Sequence, residues 1–174
     1  ELERLSRAYI RQFGRILGPE KDVPAPDVYT TPQIMAWMVD EFAVLQGHNE
    51  FGMITGKPIA LGGSQGRGDA TARGGVYVMR EAAKKVKLDT AKATYAIQGC
   101  GNAGWFAAQI INDEVGGKVV AIGEIDGAVY NPKGLDVHKF HDHFLKTKSV
   151  KGFKGAEYLP KSADVLELKV DVLV

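Results

Sequence analysis

Six residues constrain this chain more than any other feature. Gly99-Cys100-Gly101-Asn102-Ala103-Gly104 separates an apolar run, ATYAIQ, from a helical one, NAGWFAAQIINDEV, and a second apolar run, KVVAIGE, follows. In isolation G-x-G-x-x-G is a weak pattern; inside a strand–helix–strand unit of about 30 residues it has a definite physical reading. The first glycine permits a tight turn, the second lets a pyrophosphate approach the backbone, and the third lets helix and strand pack closely. The helix start adds free N–H groups and a partial positive charge. Gly99, Gly101, Asn102, Ala103 and Gly104 are therefore candidate dinucleotide-binding residues. Glu124 lies 20 residues beyond Gly104, where an acid accepts hydrogen bonds from a ribose 2′-hydroxyl. A carboxylate there repels a 2′-phosphate, so NAD is expected, with NADP as the alternative. Asp126 competes for the same role.

Strands alternating with helices predict an α/β fold with a Rossmann-like parallel sheet. Upstream of it the periodicity predicts a helix over residues 1 to about 17, stopped by Gly18-Pro19, then a proline-punctuated loop and a helix capped by Thr31 and Pro32. Residues 47–70 form a glycine-rich stretch too long for an idle connection. A helix over 71–86, a hairpin-like DGAVYNPKG, a helix from about Asp136 to Lys146 and a buried strand, VDVLV, complete the order. Both ends look cut, since the first residues already follow a helical pattern and the last are a β-branched run. The expected boundary falls between residues 52 and 53, with a dinucleotide-binding domain, first half only, over 53–174.

Charge excludes some partners. Twenty-two basic residues against 21 acidic ones leave no field that favours nucleic acid or an anionic membrane. No apolar run approaches the roughly 18 residues of a membrane helix. The single cysteine, Cys100, fits a reducing compartment, with the cytoplasm as the default address. Cys100 is expected to fill the turn as a small residue. His138, His141 and His143 are expected on a solvated helix face, and no metal site is expected. In KDVPAPD two prolines restrict the backbone around Asp22 and Asp27, a suitable mount for a proton-transfer carboxylate. Nothing in the spacing distinguishes the two acids.

Five segments in order, DVPAPDVYT, TGKP, GGSQGRGDATARGG, QGCGNAG and YNPKGLD, resemble the hexameric glutamate dehydrogenases, especially those of archaea and thermophilic bacteria. The resemblance covers essentially the whole chain. It implies that residues 1–52 are the end of a substrate and oligomerisation domain and its hinge. It implies oxidative deamination of L-glutamate to 2-oxoglutarate and ammonia with hydride transfer to NAD(P), by a homohexamer. Asp22 matches the family's catalytic aspartate, which exchanges a proton with the substrate amino group. Arg67 and Thr71 match residues beside the nicotinamide, Thr71 holding its carboxamide, and Ser64 helps shape that pocket. Two departures stand out. The family's catalytic lysine belongs to a glycine-rich motif upstream of this helix. Relatives often carry Ser-Asp-Ser where this chain has Gly123-Glu124-Ile125. The alternative to an enzyme is a catalytically inactive nucleotide-binding or assembly fragment.

Overall fold

The computed structural model describes residues 1–174, which form two compact units, Glu1–Arg67 and Gly68–Val174. The division falls later than the expected boundary at 52, and the reason lies in the glycine-rich stretch. Short 3-10 turns at Phe51–Met53 and Ile59–Leu61 punctuate it, and Met53 and Ile54 enter the core of the first unit. The Thr55 amide donates to the Pro24 carbonyl at 3.0 Å, so this stretch is tied to the proline loop.

In the first unit, α1 (Leu2–Phe13) and α2 (Pro32–Gln46) pack around Ile10, Leu17, Ile34, Met35, Val39 and Phe42. Helix α1 is shorter than the periodicity predicts. The Ile16 carbonyl accepts from the Asp22 amide (3.1 Å) and the Gly18 amide donates to the Asp22 carbonyl (3.1 Å). Those groups are committed to a bridge between Leu17 and Asp22 and cannot extend the helix. At the start of α2, Thr31 Oγ1 accepts from the Ile34 amide and Pro32 occupies the first turn, as the sequence predicts. Gly47 ends it in the left-handed region, φ 75°.

In the second unit, α3 (Ala70–Lys85) precedes β1 (Thr94–Gln98), α4 (Asn102–Ile110) and β2 (Lys118–Glu124). Helix α4 continues as a single π turn, Ile111–Val115, stopped by Gly116 at φ 78°. Then come β3 (Gly127–Tyr130), α5 (Val137–Thr147), β4 (Glu157–Leu159), a 3-10 turn at Ser162–Glu167 and β5 (Val172–Leu173). The sheet order is β4-β3-β2-β1-β5. The parallel core β2-β1-β5 agrees with the expected Rossmann-like sheet, and antiparallel β3 and β4 extend it on one side. Strand β4 was not predicted from the sequence. The last strand also differs from expectation: β5 has only β1 beside it, so Leu173 and Val174 stay nearly half exposed instead of buried.

Alternation along β1 explains the two faces. Tyr95 and Ile97 join Ala107, Ala108, Val137 and Phe140 in the large core under the helices. Ala96, Ala121 and Ala128 face the other way, and their small side chains admit Val165 of the 3-10 turn. No helix is long and apolar enough to cross a membrane.

Candidate functional site

Strand β1 is flanked by β2 on one side and by the last strand, β5, on the other, so the strand order reverses there. A crevice at the carboxyl end of such a strand is where open α/β sheets take ligands. The glycine turn sits there. Gly99 turns the chain at φ 95°, a conformation that favours glycine, and Gly101 caps α4 with extended backbone. The third glycine is required by packing: a Cβ at Gly104 would stand 2.0 Å from the Gly99 carbonyl oxygen. A Cβ at Gly101 would meet nothing within 4 Å, so the space in front of it is open. The amides opening α4 have no partner within the helix and face this region with the positive end of its dipole.

Glu124, at the end of β2, is fixed beside the turn. Its Oε2 accepts from the Cys100 amide at 2.8 Å and its Oε1 from the Ile125 amide at 3.0 Å. Asp126 is employed differently: its carboxylate accepts from the Ser149 hydroxyl and the Val150 amide, tying the β2–β3 hairpin to the segment after α5. Cys100 is 5% exposed, and burial, followed by the Glu124 charge, pushes its thiol up to about 12. That thiol is protonated at neutral pH and fills space, as expected.

Thr71 is exposed in the first turn of α3. The segment before it is joined to the glycine turn, because Asn102 Nδ2 donates to the Gly68 carbonyl at 2.8 Å. Thr71, Ala103 and Gly104 also border one groove of about 460 Å³. Val76, Met79, Ile111 and Val172, which also line it, are apolar and their side chains offer no donors to phosphate. The second unit thus gathers Thr71, Gly99, Gly101, Asn102, Ala103, Gly104 and Glu124. Arg67 and Asp22 belong to the first unit, both exposed, as is Ser64.

Within that unit the proline loop is held from behind. Pro26 packs against Gly56, where a Cβ would lie 2.2 Å from the proline Cγ. TGKP and VPAPD are therefore two halves of one packed feature. Asp22 has its amide and carbonyl engaged by Ile16 and Gly18, while its carboxylate makes no hydrogen bond. Asp27 Oδ1 accepts from the Val28 amide at 2.8 Å, and Thr30 Oγ1 accepts from the Asp27 amide at 2.7 Å, so this acid closes its own turn.

The histidines do more than face solvent. His141 stacks on Trp105 of α4 with ring centroids 3.5 Å apart, His138 Nε2 pairs with Asp113 at 3.0 Å, and His143 Nε2 meets the Lys151 carbonyl. No group of three metal-ligating side chains forms. The Asn102–Gly68 bond and the Ser149–Asp126 bond were missed from the sequence. Each joins residues far apart in the chain, and no local pattern announces them.

Residues 62–174 match the family model described as Glutamate/Leucine/Phenylalanine/Valine dehydrogenase, and residues 1–44 match the dimerisation domain of Glu/Leu/Phe/Val dehydrogenases. The chain is 47% identical to the cryptic catabolic NAD-specific glutamate dehydrogenase of Bacillus subtilis, over all of this chain and 40% of that protein. It is 43% identical to the glutamate dehydrogenase of Thermotoga maritima, over all of this chain and 42% of that protein. Among solved structures, the hetero-hexameric glutamate dehydrogenase of Thermus thermophilus in its Leu-bound form superposes with a TM-score of 0.92 at 35% identity, over 99% of this chain and 40% of that one. The chain therefore spans about two fifths of the length of these relatives. With family matches running through both of its compact units, it belongs to the Glu/Leu/Phe/Val dehydrogenase family.

Proposed function

We propose that this chain is the central part of a longer glutamate dehydrogenase that deaminates L-glutamate to 2-oxoglutarate and ammonia with NAD as hydride acceptor. The observation that carries the cofactor reading is the Glu124 carboxylate held beside the glycine turn by two backbone amides. The residues present fit a dinucleotide. The open space before Gly101 accommodates a pyrophosphate, and the close approach of Gly104 to Gly99 keeps the α4 amides at that spot. Glu124 would hold the adenosine ribose, Thr71 the nicotinamide carboxamide, and Arg67 would lie beside the ring. A nicotinamide bound there would supply the acceptor for the hydride leaving Cα of the amino acid. Asp22 takes a proton from the substrate ammonium and returns one as the imine forms and hydrolyses. The NAD-specific name of the Bacillus subtilis relative supports the cofactor, and the hetero-hexameric Thermus thermophilus structure supports a six-subunit assembly, while its being built here of one chain type rests on the family resemblance alone. A reducing compartment, the cytoplasm, suits the lone buried thiol.

Calorimetric titration of the full-length protein with NAD and NADP tests the cofactor, and the expected result is tighter binding of NAD. Equal or tighter NADP binding removes the argument from Glu124. Turnover followed by nicotinamide absorbance should be fastest with glutamate among glutamate, leucine, phenylalanine and valine. A preference for any of the others overturns the substrate.

A further inference from the structure

Asp22 stands at one end of a short segment that is held in three places. At its own position the amide and carbonyl are bonded to Ile16 and Gly18. Further on, the Pro24 carbonyl accepts from the Thr55 amide at 3.0 Å. At the far end, half-buried Pro26 packs against Gly56, whose backbone is in the left-handed region at φ 70°. The support behind these contacts is firm. Met53 and Ile54 are buried in the core of the first unit. Lys57 Nζ donates to the Ile54 carbonyl at 2.8 Å, closing the turn that presents Gly56. A Cβ on Gly56 would overlap Cγ and Cδ of Pro26, yet would stand 3.5 Å from its Cβ, an ordinary contact. The segment is poorly able to absorb such a push. Pro24 and Pro26 fix two of its φ angles and bias the residues before them towards extended backbone.

We propose that Gly56 is a positioning residue for the Asp22 carboxylate. The missing side chain lets Pro26 seat fully, and the seated proline segment sets where the carboxylate meets the substrate nitrogen. The inference rests on the reading of Asp22 as the proton-transfer group. A misplacement of about 1 Å can cost a reaction about 100-fold in rate, so a contact at Pro26 reaches turnover through Asp22.

The test is a double-mutant cycle in the full-length enzyme: Gly56→Ala, Pro26→Ala and the two combined. Each is measured for kcat, for the KM of NAD and for melting temperature. Gly56→Ala should lower kcat roughly 10- to 100-fold while the KM of NAD holds. Pro26→Ala removes the Cγ and Cδ that the new methyl would meet, so adding Gly56→Ala to it should cost little further kcat. The strain of alanine at φ 70° is common to both backgrounds and cancels in the cycle. Wild-type kcat in Gly56→Ala overturns the proposal. So does an equal loss in both backgrounds, which would trace the effect to backbone strain. A parallel rise in the KM of NAD overturns it too, since the contact would then serve the cofactor. Should Gly56→Ala fail to fold, Pro26→Ala, which adds no atom, must by itself lower kcat with the KM of NAD unchanged; wild-type kcat there overturns the proposal. Asp22→Asn, measured alongside, separates the two readings. If it turns over like the wild type, the proton-transfer reading of Asp22 falls; an inactive Asp22→Asn beside a fully active Gly56→Ala sinks the positioning alone.

Discussion

The three glycines of the turn, to which the sequence pattern assigns three different roles, meet three different constraints in the structure. Gly99 is needed for its φ of 95°, and Gly104 because a Cβ would penetrate the Gly99 carbonyl at 2.0 Å. Gly101 has neither constraint, since its φ is −70° and a Cβ there meets nothing within 4 Å. Its lack of a side chain serves only what comes close from outside. Gly101→Val should therefore fold and melt nearly as the wild type does while losing NAD binding, because the branched side chain fills the space the pyrophosphate needs. Gly104→Ala should behave in the opposite sense, lowering the melting temperature because backbone must move. Overpacking of this kind typically costs about 1–3 kcal/mol. Calorimetric NAD titration and thermal melting of both variants check the pair. Normal NAD affinity in folded Gly101→Val would show that the phosphates lie elsewhere.

Among the elements, the α1–α2 pair holds the least ordinary group, a glutamate in a nearly buried position. The Glu41 side chain is 8% exposed and is met by Arg11 at 2.6 Å and Arg7 at 3.4 Å. The Arg11 hydrogen bond, working against burial, holds its carboxyl below the ordinary range. A carboxyl with a depressed folded-state pKa adds stability above its unfolded pKa, near 4.3, and that stability is lost as the pH falls through the folded value. Glu41→Gln should therefore destabilise the first unit by about 1.5–3 kcal/mol at neutral pH, the scale of hydrogen bonds to charged groups. Wild type and variant should converge as the pH falls through the folded-state pKa of this carboxyl. Urea unfolding across a series of pH values from neutral into acid measures this, and a gap that does not narrow in acid would rule out the charge as its source. The sequence did not advertise this glutamate, because its partners sit on another helix. Elements with local causes were legible: the Thr31-Pro32 start of α2, the glycine turn, and the whole of β2. Strand β4 and the turn at Ser162–Glu167 were not, being too short to show a period. The exposure of β5 was hidden for a different reason. A β-branched run fits a sheet, but composition does not tell a central strand from an edge.

At the scale of the whole molecule the question is which of two acids in the first unit is the better candidate for the proposed proton transfer. Local spacing left Asp22 and Asp27 equal, and the family resemblance chose Asp22; the structure adds a physical difference between them. The Asp22 backbone is clamped on both sides, by its amide to Ile16 and its carbonyl to Gly18, and the loop behind it rests on Gly56. Its carboxylate is exposed on this fixed mount and owes nothing to the fold. Asp27 spends its carboxylate on the Val28 amide, inside a turn that Thr30 also closes. A proton-transfer group must be free to change its charge without unravelling its support, and it must be held within hydrogen-bond reach of the substrate. Asp22 meets the first condition and Asp27 does not. In the full-length enzyme, Asp22→Asn should lower kcat by at least the roughly 100-fold typical of losing a positioned acid–base group, since an amide cannot take up the proton. NAD affinity should stay nearly constant, because the proposed cofactor contacts come from the glycine turn and Glu124. Asp27→Asn keeps an acceptor oxygen for Val28 and should cost little in kcat, any effect appearing in the melting temperature instead. Profiles of kcat against pH for both variants, each with a melting curve, decide the matter. An inactive but well-folded Asp27→Asn beside an active Asp22→Asn would reverse the assignment.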